Sequence, residues 1–404
     1  MTDFTRANVD FNDCSKRFYQ VSRDFSKQYA HIYSARLNTF RNILGNLIQK
    51  KWSSKYKVLK LCELRDRDTC VIIGTLFKLQ ELKPSILKEL SDELEIIPQP
   101  ARKHFVHDSD SLVLEDELQR IKLVGDCIDV HQVVTGVVCA VLGSEDEDGI
   151  FTVKDVCWAG CSIQKPLPKL SDDKIHIVGL NIFSYKLKLN MCNNPEQLSK
   201  IVRVIVAGNL FVSSSNEKEN ALNEADVISC VDTVDSLCTA ISSVAPLDLM
   251  PCCKDPTGVM LPQKPFHYCL FPKSVEYKSF NRVSNPYECY IFLGSSGESI
   301  KDIMRYSKLD KELEVMNKTL EWRHLAPTCP DTLPTTPCVD TDPFTIYNCP
   351  SVYFSGNCSE FATDLYQGDG GQRIRLVCVP DFCDTKTVAL VNLNNLECHS
   401  VTFS

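Results

Sequence analysis

The stretch Val204-Ile205-Val206-Ala207-Gly208-Asn209-Leu210 decides how the chain is read. Its β-branched run fits a parallel strand covered on both faces, and the glycine after it fits a tight turn. Ligands in such sheets collect beyond the carboxyl ends of the strands, so this turn is an active-site address. The side chain standing there is an asparagine. An amide oxygen is a neutral, weak ligand that cannot bridge two divalent cations with charge compensation.

Outward from this turn, strands and helices alternate. Ile175 to Val178 reads as a strand before it, and Ala221 to Val244 as a helix after it, with Ile228, Val231, Val234, Leu237 and Ile241 on the apolar face. Tyr290-Ile291-Phe292-Leu293 reads as a strand leading into a helix from Ser299, and Ile374 to Val379 and Thr387 to Val391 as closing strands. Such alternation implies an α/β sheet. The six prolines from Pro327 to Pro350 suggest an extended crossing over the surface.

Residues 57–165 differ in character. Strand-like runs at Cys70 to Phe77, Val133 to Leu142 and Gly149 to Val156, with an acidic turn at Gly143 to Gly149 and one polar helix from Ser85 to Leu94, suggest a small OB-type barrel. A Greek-key sandwich fits the same pattern. Gln164-Lys165-Pro166-Leu167-Pro168 reads as a linker. Upstream, Phe25, Tyr29, Ile32, Tyr33, Leu37, Phe40, Ile43, Leu44 and Leu47 recur at helical steps between Arg23 and Lys50. The other face of that helix is basic, which suits either a solvated face or a nucleic-acid contact, the former being the expectation. The divisions expected are a basic helical segment 1–56, a barrel 57–165 and an α/β domain 166–404.

With 404 residues, two domains is the default count, and 44% hydrophobic with 24% charged residues describes a globular chain. No apolar run approaches the roughly 20 residues a membrane helix needs. The N-terminus lacks the basic and apolar blocks of a secretory signal, so an intracellular location is expected. The net charge of −8 divides into about +8 over residues 1–60 and −16 over the rest. An acidic body argues against affinity built on neutralising many phosphates.

The 21 cysteines include no C-x-x-C pair and read as reduced thiols. Cys157 with Cys161 and Cys378 with Cys383 are spaced unlike zinc knuckles, so small buried hydrophobes are the expectation, also for Cys252 and Cys253. Gly294-Ser295-Ser296-Gly297 offers backbone N–H groups between strand and helix but lacks the Gly-Lys-Ser/Thr ending of a phosphate loop, and reads as a plain turn. Neither a Gly-x-Ser-x-Gly elbow nor a dinucleotide fingerprint occurs.

Two-metal phosphoester hydrolysis needs carboxylates and imidazoles at successive strand ends. Metallophosphoesterases supply them as Asp-x-His, Gly-Asp-x-x-Asp, Gly-Asn-His and Gly-His-x-His. Here the corresponding places read Gly179-Leu180-Asn181, Gly208-Asn209, Cys252-Cys253-Lys254-Asp255 and Gly356-Asn357-Cys358. His324 is counted with these former metal positions, but one imidazole cannot hold a binuclear centre, and a hydrogen-bonded structural histidine is expected. Neither a catalytic residue nor a metal ligand is assigned.

A barrel followed by a phosphoesterase-like domain without ligands resembles the B subunits of replicative DNA polymerases, and in detail the small subunits of DNA polymerase delta. The segments that carry the resemblance are Gln28 to Tyr33, Lys60 to Leu64, Pro84 to Leu87, Leu112 to Leu123, Arg323 to Leu333 and Val379 to Phe382. Within them Glu115, Asp116, Glu117, Leu118, Gln119, Arg120, Arg323, Pro327 and Asp331 are the signature positions. Cys252-Cys253 and Gly356-Asn357-Cys358 depart from the family pattern, both at the dead metal site.

The resemblance implies an N-terminal helix, an OB-fold β-barrel and a metallophosphoesterase-like α/β sandwich lacking metal ligands. It also implies a nuclear, non-catalytic scaffold without cofactors. That scaffold would hold the cysteine-rich C-terminal domain of the polymerase delta catalytic subunit and, on another surface, the third polymerase delta subunit. It would meet DNA only indirectly or weakly and no membrane. A divergent phosphodiesterase using Asp255 and His324, and a single-strand DNA binder working through the barrel with Phe77, Phe105, Phe151 and Trp158, are the alternatives.

Overall fold

The computed structural model describes residues 12–19, 25–53, 55–65, 68–84, 102–167, 175–178, 199–211 and 224–403. A 3-10 turn at Ser15–Phe18 is followed by helix α1 (Ala30–Trp52). The strands β1 (Val58–Leu59), β2 (Cys70–Leu79), β3 (Ser111–Glu115), β4 (Arg120–Val124), β5 (Val138–Glu145) and β6 (Ile150–Cys157) follow. They form one sheet in the order β1-β2-β3-β4-β6-β5, and a further pairing of β2 with β5 closes it into a barrel. Closure removes most of the exposed edge.

Alternation along β2 divides its side chains between two cores. Ile72 and Leu76 point into the barrel, whereas Val71 and Ile73 point outward and are covered by Leu37, Phe40, Leu44, Ile48 and Trp52 of α1. The basic helix is thus part of the barrel's wall. It starts at Ala30 rather than Arg23, and Phe25 and Tyr29, expected on its apolar face, are exposed. Arg36, inside this basic helix, is fully buried.

One further sequence expectation fails in the barrel: Val133 to Val137 is buried loop, since β5 starts only at Val138. Leu112 to Leu123, which carries part of the resemblance, holds the β3–β4 hairpin. The helix expected from Ser85 to Leu94 lies outside the described residues.

The remainder builds β7 (Ile175–Val178), β8 (Val204–Ala207), α2 (Glu224–Ser242), β9 (Leu247–Met250), β10 (Phe280–Arg282), β11 (Tyr287–Cys289) and β12 (Phe292–Ser295). Then come α3 (Glu298–Tyr306), α4 (Glu312–Glu321), β13 (Val352–Cys358), β14 (Ala362–Gln367), β15 (Arg373–Pro380), α5 (Phe382–Thr385), β16 (Thr387–Asn392) and β17 (Cys398–Thr402). A five-stranded sheet runs β11-β12-β13-β15-β14, with a parallel centre and antiparallel edges. The strands β10-β9-β8 form a parallel sheet, and β17-β16-β7 an antiparallel one.

These sheets pack face to face. Ile205 and Ala207 of β8 share a core with Phe354, Val377, Val379, Ala389 and Val391, whereas Val204 and Val206 face Val234, Cys238 and Ile241 of α2. The uniformly apolar β8 is explained by this burial on both faces. Ile228, expected on the buried side of α2, is instead 63% exposed. β12 starts two residues later than expected, because Tyr290 and Ile291 form a turn with Tyr290 at positive φ.

The outer face of the five-stranded sheet carries Leu293, Tyr353, Leu376 and Cys378. They join Ile300 and Ile303 of α3, Val315, Met316 and Leu320 of α4, and the barrel's own Leu76, Leu114, Val141 and Phe151 in one continuous apolar interior. The proline-rich stretch runs through this region, and it is not a surface crossing: Thr328, Cys329, Thr336, Asp342, Phe344, Thr345 and Ile346 are all buried. Its prolines hold an extended path whose backbone groups are taken up by Arg36 and by Leu261. Nor is Gln164 a free linker residue, for its side chain donates to the carbonyls of Pro350 and Arg373. Residues 12–19 form a strap: Ser15 and Arg17 bind Glu288 of β11, and Phe18 enters the shared core.

Candidate functional site

The end of β8 turns sharply at Gly208 and Asn209, with φ of 78° and 62°. Glycine is required, because a Cβ there would sit 2.6 Å from the Cβ of Cys252. The turn points three successive backbone N–H groups at one carboxylate. Asn209 donates to Asp255 Oδ2 at 2.8 Å, and Leu210 and Phe211 donate to Oδ1 at 2.8 and 3.3 Å. Cys252 adds a fourth N–H, to Oδ2 at 2.9 Å. Burial pushes the Asp255 carboxyl up from its ordinary value, and the four N–H donors pull the other way. A carboxylate has about four lone-pair positions, so Asp255 has little capacity left for a cation.

The amides at neighbouring strand ends are committed in the same way. Asn209 Nδ2 donates to Asp381 Oδ2 at 2.7 Å, and Asp381 Oδ1 in turn accepts the N–H of Cys383 as the N-cap of α5. Asn357, at φ 54°, donates from Nδ2 to the carbonyls of Ala207 at 3.1 Å and Ser296 at 2.8 Å. Gly356 beside it allows this approach, since a Cβ would stand 2.6 Å from the Cβ of Ala207.

The turn before α3 completes the cluster. Glu298 Oε1 accepts the N–H of Cys253, and Oε2 accepts the hydroxyl of Ser296, which is also bonded to Asn285. The Gly294 to Gly297 stretch is thus a strand-to-helix turn facing a carboxylate of its own helix, a poor setting for an anion.

Gly208, Asn209, Asp255, Gly356 and Asn357 therefore converge. Gly179 and Asn181 lie outside the described residues. His324 belongs to another cluster and shares no partner with the turn. Its Nδ1 accepts the N–H of Ala326, which leaves Nε2 as the donor to Asp342 Oδ2 at 2.7 Å. Among the described residues no group of three or more His, Cys, Asp or Glu is placed to hold a metal ion. Cys252 is buried as expected, but Cys253 is exposed.

The second cluster joins three parts of the chain. Asp342 also receives Arg36 Nε at 2.6 Å, while the other guanidinium nitrogens donate to the carbonyls of Gly136, Pro327 and Cys329. Burial opposes ionisation of Asp342, but the Arg36 charge and the hydrogen bonds from His324 Nε2 and the Phe344 N–H outweigh it and hold the carboxyl well below the usual range. For His324 burial dominates and keeps the ring neutral, its pKa lowered despite Asp342.

The remaining signature positions have structural tasks. Asp116 caps the β3–β4 turn by accepting the N–H groups of Leu118 and Gln119, and also that of Leu61. Glu117 pairs with Arg41 of α1, Glu115 with Arg120 across the hairpin, and Asp331 with Lys83. Arg323, at φ 58°, donates to Ile346 O, and Leu118 is 75% exposed. Sequence reasoning missed Arg36, Asp342, Asn285 and Glu298. None sits in a local pattern that distinguishes it: Arg36 and Asp342 meet across 306 positions, and Glu298 and Asn285 join segments that only the fold brings together.

Known proteins resemble this chain in sequence. The family model described as "DNA polymerase delta subunit OB-fold domain" matches residues 28–156, and the model for the B subunit of DNA polymerases alpha and epsilon matches residues 171–363. The chain is 40% identical to "DNA polymerase delta subunit 2" of Drosophila melanogaster, with 99% of this chain and 98% of that protein aligned. It is 37% identical to "DNA polymerase delta small subunit" of Oryza sativa subsp. japonica (99% and 98% aligned), and 30% identical to that of Saccharomyces cerevisiae (94% and 90%). Likeness of this extent along both chains makes this protein a member of the DNA polymerase delta small-subunit family.

Proposed function

We propose that the chain is a non-catalytic scaffold of the nuclear DNA polymerase delta complex, bridging the catalytic and third subunits in replication and repair synthesis. It would bind the cysteine-rich C-terminal domain of the catalytic subunit on one surface and the third subunit on another, with DNA met only indirectly. Its α/β sandwich is read as a metallophosphoesterase-like fold emptied of metal, with Gly179, Asn181, Gly208, Asn209, Asp255, Gly356 and Asn357 at the former ligand positions. The domain reading that goes with this is a basic helical segment 1–56, a barrel 57–165 and a sandwich 166–404.

The observation that carries the non-catalytic reading is Asp255. A carboxylate engaged by four backbone N–H groups braces a turn, and such use competes with metal coordination. A tether for two large chains needs surfaces, not an active site.

The test is co-expression with the full catalytic subunit and with the same subunit lacking its cysteine-rich C-terminal domain. Equimolar complex with the first and none with the second is expected. Stoichiometric manganese or iron on the isolated chain, with hydrolysis of bis(p-nitrophenyl) phosphate abolished by Asp255→Asn, overturns the non-catalytic reading.

A further inference from the structure

One side of the barrel carries a cleft that the fold does not fill. It has a volume of about 650 Å³ and runs between α1 and the edge strand β1. Its floor is apolar, made by Ile48, Leu59 and Ile73. On the helix side stands Gly45, where an added Cβ would meet nothing within 4 Å. A glycine inside a 23-residue helix costs helical stability, and here that cost opens space beside the strand.

Three features describe what the cleft would receive. β1 pairs with β2 alone among the described residues, so its outer edge has unpaired backbone groups, and Val58 on it is 49% exposed. Asn42, Asn46 and Gln49, one turn apart on α1, line the facing wall, and their exposed side chains make no hydrogen bond among the described residues. The cleft lining itself holds Arg41 and Lys60 against one acid, Glu63, and the charge along the strand is net positive. Residues 50–60 contain five lysines and no acid, and among the described residues only Lys51 of these has a carboxylate partner, Asp155.

We propose that this cleft docks an acidic, extended segment of a partner polypeptide, laid alongside β1. An added strand uses the free backbone edge, and its alternate apolar side chains enter the floor. The amides of α1 bond its outer backbone groups, and Lys57 and Lys60 attract its carboxylates. Single-stranded nucleic acid would satisfy the lysines but not the strand edge or the apolar floor, and it therefore fits less well.

The test uses the full chain and a fluorescent probe peptide, Glu-Val-Asp-Leu-Glu-Val-Asp, followed by anisotropy. Saturable binding is expected, weakened roughly tenfold or more by Gly45→Phe, which fills the cleft from a position with open space, and left unchanged by Gly45→Ala. The exposed pair Lys57→Glu with Lys60→Glu is expected to weaken the acidic probe and to favour the Lys-Val-Lys-Leu-Lys-Val-Lys counterpart. Equal affinity in wild type and Gly45→Phe, no saturable binding, or preference for oligothymidylate over the peptide that Gly45→Phe abolishes each overturns the proposal.

Discussion

Arg36 Nε and Asp342 Oδ2 stand 2.6 Å apart with neither side chain exposed, although 306 residues separate them. The pair joins α1 to the proline-rich stretch beneath it. Two buried charges are costly to desolvate, and removing one strands the other. Arg36→Met is expected to destabilise the protein by about 3–5 kcal/mol in urea unfolding. The double change Arg36→Met with Asp342→Leu loses less than the single one. A single-variant loss below about 1 kcal/mol, as an exposed pair would give, contradicts this account.

His324 makes the same junction sensitive to acid. Its pKa is lowered in the folded chain from an ordinary 6.5, so below that pH the unfolded chain binds the extra proton. Stability is full above about pH 6.5 and declines as pH falls, by at most about 1.4 kcal/mol per unit from this group. Between pH 7.5 and 5, His324→Gln is expected to show a flatter dependence than wild type. Parallel curves refute the assignment. Asp342, also held low, adds its own loss only below its ordinary 3.8.

Gly136 tests the closeness of that junction. A Cβ there would lie 1.9 Å from Pro327 O and 2.7 Å from Arg36 Nη1, whereas at Gly149 it meets nothing, and both residues have positive φ. Gly136→Ala is expected to cost more than about 2 kcal/mol and Gly149→Ala about 1 kcal/mol. Equal losses would mean that backbone strain, not contact, sets both.

At the β8 turn, Asp255→Asn replaces one accepting oxygen by a donor and leaves buried N–H groups without partners. A loss of about 2 kcal/mol or more is expected by thermal unfolding. If the variant is as stable as wild type, the carboxylate is not the brace described above.

The strap gives a simpler expectation. Phe18 is 1% exposed inside the shared core, so Phe18→Ala should cost about 3–5 kcal/mol, measured by denaturant midpoint. An unchanged midpoint means the strap is dispensable.

The parts legible in the sequence are those written in short-range patterns. The burial of β8 on both faces, the turn at Gly208, the helical period of α1 and the β5–β6 hairpin follow from local alternation and turn chemistry. The placement of Asn209, Asp255 and Asn357 at one point follows from topology, since strand ends of one sandwich gather on one side. What stays hidden depends on distant partners. Nothing around Asp342 announces that a helix 306 residues away supplies its counter-charge, so the prolines near it suggest surface. Nothing local to Arg36 marks it as buried, for the same reason. His324 is counted with the expected metal positions because it is the histidine near an expected strand end, whereas its hydrogen bonds tie it to Asp342.

The apolar interior shared by barrel and sandwich has one more outcome. Neither half can melt without wetting residues of the other, so partial damage is not stored locally but spreads through the molecule. Such a chain unfolds as one cooperative unit: barrel and sandwich are present together or lost together.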